Sequence, residues 1–284
     1  MADVPDAPTP DAARARPDPV AAGPRGRLRR RPRALGLVLA ALAALAALAV
    51  VAVVVALHQA QPSPPGLFYS APAPLPSGPP GTIIRSEPLT DPPAGARGWK
   101  ILYLSTGYTG KPTAISGAVF VSAAPAPPGG RKVVAWAQGT VGVASRCAPS
   151  LQGDAGAHAI AGLPAFLKAG DAVVATDYQG LGTPGPHPYL VGKAEALSVL
   201  DGVRAAHNLP GTGAGTRFVV WGVSQGGHAA LFTGQYAVPY APDLKLVGVA
   251  AGAPAGALIP LFWTRSHDRW RLREGQPRPM KDRT

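Results

Sequence analysis

Polar residues vanish from the chain between positions 34 and 57, 24 in a row without a charge or a strong polar group. As a helix that run reaches about 36 Å at ~1.5 Å per residue, enough for the ~30 Å of a bilayer core. It has no polar face, which a helix packed on a soluble core would carry. Six arginines lie from Arg25 to Arg33, directly before it. Such flanks stay cytoplasmic, so everything after the run is expected on the outer side as a single-pass anchored domain. The alternative is a secreted chain released by signal cleavage. Signal apolar cores run ~7–15 residues, however, and the exit Leu57-His58-Gln59-Ala60 lacks a good small-x-small cleavage site. On either reading the rest of the chain is exported.

Past this run the pattern changes twice. Residues 58–81 are a Pro-rich linker, expected to be extended and weakly structured. Residues 82–89, 99–106 and 114–122 carry β-branched or aromatic residues between Gly/Pro clusters and predict strands. Lys132 to Ala137 is a short apolar run of the kind found in buried central strands. A longer rhythm follows: a helix over 157–169 with Ile160, Leu163, Phe166 and Leu167 on one side, a strand over 171–176, and a helix over 190–209 with Ala196, Leu200 and Val203 at helical spacing. A strand over 218–221, a helix over 224–235 and a strand over 245–250 complete the series. Strand and helix in alternation predict βαβ units, hence an α/β fold with a mostly parallel sheet and flanking helices over 82–262.

Charge narrows the function classes. The 284-residue chain has a formal net charge of +12. Residues 1–33, a basic and disordered cytoplasmic segment by composition, carry +4, and the atypical charged tail 263–284 carries another +4. Only +4 remains for the middle, with no basic stripe interleaved with aromatics, so no nucleic-acid partner is expected. No His/Cys/Asp cluster has ligand spacing, so neither a metal nor a cofactor is expected. The single Cys147 would lie in an oxidising compartment, either buried and inert or a half-cystine whose partner lay beyond residue 284.

The chemistry concentrates at Gly222-Val223-Ser224-Gln225-Gly226. A G-x-S-x-G pattern alone is weak; here four apolar residues run into it and helix-forming residues follow, the strand–turn–helix setting of a nucleophile elbow. The turn strains the serine's backbone, so its neighbours two before and two after must be small, as Gly222 and Gly226 are. Ser224 would then project at the carboxyl edge of the sheet with the N–H of Gln225 facing a developing oxyanion. A second donor is expected from the loop after the earlier central strand, at Gln138 or Gly139.

Five blocks then follow in order: Trp136-Ala137-Gln138-Gly139-Thr140, Cys147-Ala148-Pro149-Ser150, Thr176 to Gly182, His187-Pro188-Tyr189-Leu190, and Gly222 to His228. Together they resemble the secretory lipase family of α/β-hydrolases, the Candida lipase A-like group, over roughly residues 82–260. The resemblance implies a carboxylester or triacylglycerol hydrolase working through an acyl-enzyme, with Ser224 as nucleophile. It also implies oxyanion donors at Gln225 and in the loop holding Gln138 and Gly139. Many relatives have His where Gln138 stands; a backbone donor survives that difference. Asp177 and Tyr178 follow a central strand and are candidates for the pocket floor, with a buried structural Asp as the alternative. His187 is a candidate for the pocket rim.

The triad's other members are not evident. The order in these enzymes is Ser, acid, His, the last two after later strands, yet 60 residues follow Ser224 with one clear strand among them. Asp243 precedes that strand and reads as a loop cap. His228, one turn along the nucleophile helix, reads as structural. His267 has the right order but falls in the atypical tail. The acid and His are therefore expected beyond residue 284. A serine ester hydrolase is the leading expectation, incomplete as this chain; a catalytically inactive fragment, a binding module and a peptidase on the same scaffold are the rivals. The expected partners are a lipid or other ester and the membrane through 34–57.

Overall fold

A computed structural model describes residues 31–59 and 64–258. The chain divides into two compact units, 1–61 and 62–284. The first contains helix α1 (Arg31–Gln59). Within it Leu35–Ala56 is long and apolar enough to cross a membrane, and none of it is buried against protein. A soluble core helix would hide such a surface; this one exposes Leu, Val and Ala on every side. The basic segment 1–30 and the tail with His267 lie outside the described residues.

The second unit is built on one seven-stranded sheet, in the order β1-β2-β3-β5-β4-β6-β7. The strands are β1 (Ile83–Pro88), β2 (Ala96–Thr106), β3 (Pro112–Ser122), β4 (Arg131–Ala137), β5 (Ala172–Thr176), β6 (Ala214–Val223) and β7 (Lys245–Gly252). The sheet is mixed rather than mostly parallel. β1, β2 and β3 pair antiparallel, as does β3 with β5. β5-β4-β6-β7 are parallel. The reason is connection length: a tight turn closed by Gly107 N–H to the Lys111 carbonyl joins β2 to β3, and only an antiparallel pair can be joined so briefly. The parallel strands are linked by longer crossovers through α2 (Leu163–Lys168), α3 (Gly192–Asn208) and α4 (Gln225–Tyr240).

Both faces of the sheet are covered. Ile101, Tyr103, Ile115, Val174, Phe218 and Val220 pack with Val199, Leu200 and Val203 of α3 and Ala229 and Ala230 of α4. Phe120, Val134, Trp136 and Val173 pack on the other face against Ile160, Leu163 and Leu167.

Two expectations need correction. The helix expected over 157–169 is a 3₁₀ turn at Ala157–Ala159 followed by the short α2. Gly162 breaks it with φ 87°, a left-handed conformation no helix interior takes, and Pro164 lies in the first turn of the restarted helix. The Pro-rich linker is no free tether from residue 64 on. Its 3₁₀ turn Leu67–Tyr69 buries Phe68 and Tyr69 against Leu102 and Ala114. Tyr69 donates its hydroxyl to the Ser150 carbonyl at 2.7 Å, and Arg85 donates to the carbonyls of Leu67 and Phe68. Two aromatic anchors outweigh the disorder that the prolines suggest.

Candidate active site

β4 and β6 are parallel neighbours, with Ala137 opposite Gly222 at their carboxyl ends. The two loops of interest therefore leave the sheet side by side. The first, beginning at Gln138, follows β4; the second is the turn from β6 into α4, with Ser224 between them. Ser224 is exposed, with φ 60° and ψ −117°, a left-handed-side conformation that costs a non-glycine residue of order 1–3 kcal/mol. Such strain persists only where the surroundings fix it. Here the Ser224 N–H donates to the Gly252 carbonyl at 2.9 Å, and the Ser224 carbonyl accepts from His228 N–H at 3.0 Å.

The glycines are required by contact. A Cβ on Gly226 would collide with the Ala137 carbonyl, and one on Gly222 with the Gly226 carbonyl. One on Gly227 would stand 2.7 Å from the Gly252 carbonyl. A Cβ on Gly139 would come within 3.3 Å of the Val223 carbonyl, so the loop after β4 lies directly on the turn. The N–H of Gln225, first residue of α4, has no carbonyl a helical turn behind it and sits at the positive end of the helix dipole. That is an arrangement that can polarise a carbonyl or hold an anion.

Gln138 is buried, and its side-chain amide donates to the Asp177 carbonyl at 3.2 Å. Its own carbonyl accepts from the Tyr178 hydroxyl at 3.1 Å. Its side chain is thus committed inward, and what it offers the site is its backbone. Asp177 is fully buried beside the site rather than opening into it. Its carboxyl accepts from the Ser116 hydroxyl at 2.6 Å, from the Ser150 N–H at 3.0 Å and from the Ser150 hydroxyl. Burial raises the Asp177 carboxyl above its ordinary value, against the lowering effect of these hydrogen bonds. Tyr178, at φ 67°, is buried too, and burial lifts its phenol well above the usual range.

His187 is half-buried, stacked on Tyr178 with ring centroids 6.2 Å apart. Its neighbour Tyr189 shares a hydrogen bond of 2.8 Å with Thr140, joining the rim loop to the loop after β4. His228 is buried and its Nδ1 lies 2.6 Å from Glu195 of α3. Asp243 pairs with Arg204, which holds its carboxyl below the ordinary range. Among the described residues none donates to or accepts from the Ser224 hydroxyl, and no group of three or more His, Cys, Asp or Glu could hold a metal ion. Cys147 is half-buried and forms no disulfide; a Cβ on Gly142 would stand 2.6 Å from its Sγ.

Glu195 escaped the sequence reading. It is fully buried and meets both Gln225 and His228. A signal did exist. Glu195, Ser198 and Asp201 form a polar row at helical spacing on a helix whose other buried residues are Ala, Leu, Val and Gly. Polar groups in such a helix must find partners inside the protein.

A mixed sheet with flanking helices, whose parallel strand β6 turns sharply through an exposed serine into a helix, defines an α/β-hydrolase. Residues 142–264 match the model of the secretory lipase family. It is 32% identical over 206 residues to a probable inactive lipase of Mycobacterium tuberculosis, covering 67% of this chain and 45% of the relative. It is 26% identical over 204 residues to lipase A of Moesziomyces aphidis, covering 67% and 43%. The crystal structure of Candida antarctica lipase A in its closed state aligns with a TM-score of 0.54 at 26% identity, over 67% of this chain and 46% of that one. The chain thus spans about half the length of the relatives it matches.

Proposed function

We propose that this chain is a serine carboxylester hydrolase of the lipase type, with Ser224 as its nucleophile. One observation carries the reading: Ser224 is held exposed in a strained turn between β6 and α4, at the N-terminus of the 16-residue helix α4. The Ser224 oxygen attacks the ester carbonyl carbon and passes its proton to a base. The carbonyl oxygen, now an oxyanion, accepts from the N–H of Gln225 and from an N–H of the loop at Gln138 or Gly139. Collapse expels the alcohol, which takes up a proton, and leaves an acyl-serine that water hydrolyses. Val141, Val143, Tyr189 and Val223 are exposed near these loops and favour an apolar acyl group over a peptide. Residues 34–57 serve as a membrane anchor with the catalytic unit outside; cleavage there would instead release a secreted domain.

A second reading is an inactive member of the family. It is favoured by the M. tuberculosis relative described as a probable inactive lipase, and by the absence, among the described residues, of an imidazole bonded to Ser224. A serine without a base is a poor nucleophile near neutral pH. Hydrolysis of p-nitrophenyl butyrate by the detergent-solubilised chain and its Ser224→Ala variant separates the two. Turnover that disappears in Ser224→Ala supports the enzyme; turnover unchanged by it, or none, supports the inactive reading. Cleavage of matched anilides as fast as esters would favour a peptidase.

A further inference from the structure

The buried carboxylate of Glu195 meets no Lys or Arg among the described residues; its one basic neighbour is His228, which calls for an explanation. It sits in the first turn of α3 and is 1% exposed. Its two oxygens accept three hydrogens. Leu190 N–H reaches Oε1 at 3.2 Å, the Gln225 side-chain amide reaches Oε1 at 2.8 Å, and His228 Nδ1 lies 2.6 Å from Oε2. Two of these partners stand on the first turn of α4, Gln225 directly after Ser224 and His228 one turn on.

The direction of each bond follows from what each group can do. A carboxylate only accepts, so His228 carries its hydrogen on Nδ1 and Gln225 presents its NH₂ rather than its oxygen to Glu195. His187 Nδ1 lies 2.8 Å from the Gln179 carbonyl, which also only accepts, so Nδ1 carries the hydrogen and Nε2 is an acceptor. Gln225 Nε2 stands 3.4 Å from His187 Nε2, where its second hydrogen points. Both hydrogens of the Gln225 amide are thereby assigned, one to α3 and one to the rim loop.

We propose that Glu195 is the positioning residue of the nucleophile turn. It clamps the start of α4 to α3 through Gln225 and His228, so that the Gln225 backbone N–H stays aimed at the oxyanion. It touches no substrate. The inference rests on the reading of Ser224 as nucleophile for its catalytic part only; the clamp itself is a statement about the turn. The cost of a buried carboxylate is accepted because the turn is strained and would relax without a fixed neighbour.

The full chain in detergent tests this with Glu195→Ala, Glu195→Gln and Gln225→Met, the last keeping the backbone N–H. Turnover of p-nitrophenyl butyrate is normalised to sites titrated with a fluorophosphonate, and hydrogen–deuterium exchange is followed over residues 222–231. In Glu195→Ala, kcat per site should fall roughly 10- to 100-fold, below the ~10²–10³ of losing an oxyanion donor outright, with KM within about twofold. Glu195→Gln, which keeps one acceptor oxygen for Gln225, should recover most of it. Gln225→Met, which cuts one of the two links that Glu195→Ala cuts, should lose part of that activity, and the double variant should lose little more than Glu195→Ala alone. Exchange should accelerate over 222–231 while β2 and β3 stay unchanged. A Glu195→Ala chain that keeps its kcat per site overturns the proposal. If the parent chain turns over no faster than Ser224→Ala, the nucleophile reading fails and exchange alone decides: acceleration confined to the turn upholds the clamp, and unchanged exchange rejects it.

Discussion

β4 and β6 lie side by side, and their two ends are built on opposite principles. At the amino end, Arg131 opens β4 and is 2% exposed. Its guanidinium donates to the carbonyls of Thr212 at 3.1 Å, Gly170 at 2.8 Å and Ser122 at 3.2 Å, and to that of Ala124. One side chain thus ties together the segments that lead into β4, β5 and β6, and each acceptor is a backbone group needing a partner. At the carboxyl end the same strands deliver an exposed, strained serine, glycines packed carbonyl to Cα, and N–H groups without intrahelical acceptors. The difference teaches where this fold places its stability. One buried guanidinium satisfies backbone carbonyls at the amino end, and a strained residue is tolerated at the carboxyl end.

Three variants break or sharpen that contrast. Arg131→Met should have the largest effect. It leaves four carbonyls without their donor, at roughly 1–3 kcal/mol for each buried acceptor left unsatisfied. The urea midpoint should fall accordingly, with activity per folded molecule preserved. A fall worth less than ~1 kcal/mol would show that the carbonyls find other partners, and the contrast would be lost.

Asp177→Asn comes next, at about 2 kcal/mol, because Asn cannot accept from both serine hydroxyls and the Ser150 N–H as the carboxyl does. Its pH dependence carries the sign. Burial raises the Asp177 carboxyl in the folded chain, so the native state holds this proton more tightly than the unfolded chain does. That stabilisation is fully present below the ordinary carboxylate value and is lost as pH rises through the folded value. Asn does not titrate. The advantage of the parent over Asp177→Asn should therefore be larger at about pH 4 than at about pH 7. Midpoints measured at both values check this, and an advantage that grows with pH would contradict the assigned direction.

Ser224→Gly should show the smallest change in stability and the opposite sign. Glycine takes φ 60° without penalty, so the variant should gain about 1 kcal/mol while losing any Ser224-dependent turnover. A calorimetric melting temperature that fails to rise would mean that the turn is not strained.

The nucleophile turn was legible in the sequence because its requirements are local. Gly222 and Gly226 flank Ser224 within five residues, and the apolar run before them marks the strand. The alternation of strands and helices was legible for the same reason. Glu195 was not, because its partners Gln225 and His228 come 30 and 33 residues later and meet it only once α3 and α4 pack. Arg131 stood one residue before a strand that was read from Lys132, and nothing in sequence says that a guanidinium there turns inward to four carbonyls. His228 was expected to be structural, and its ring meets Glu195 on the neighbouring helix, a contact that only the packing of α3 on α4 creates. The break at Gly162 was hidden by good helical spacing of Ile160, Leu163 and Leu167, which stay buried although the helix is interrupted.

The central claim is that Ser224 faces a working oxyanion site. The most direct test is reaction of the full chain in detergent with a p-nitrophenyl alkylphosphonate, followed by intact mass and peptide mapping. Phosphonylation displaces p-nitrophenolate and leaves a tetrahedral phosphorus on the serine, its oxygen where the oxyanion would sit. A single adduct is expected, on the peptide containing Ser224, and absent from Ser224→Ala. No adduct, or one spread over other serines and unchanged in Ser224→Ala, would contradict the claim.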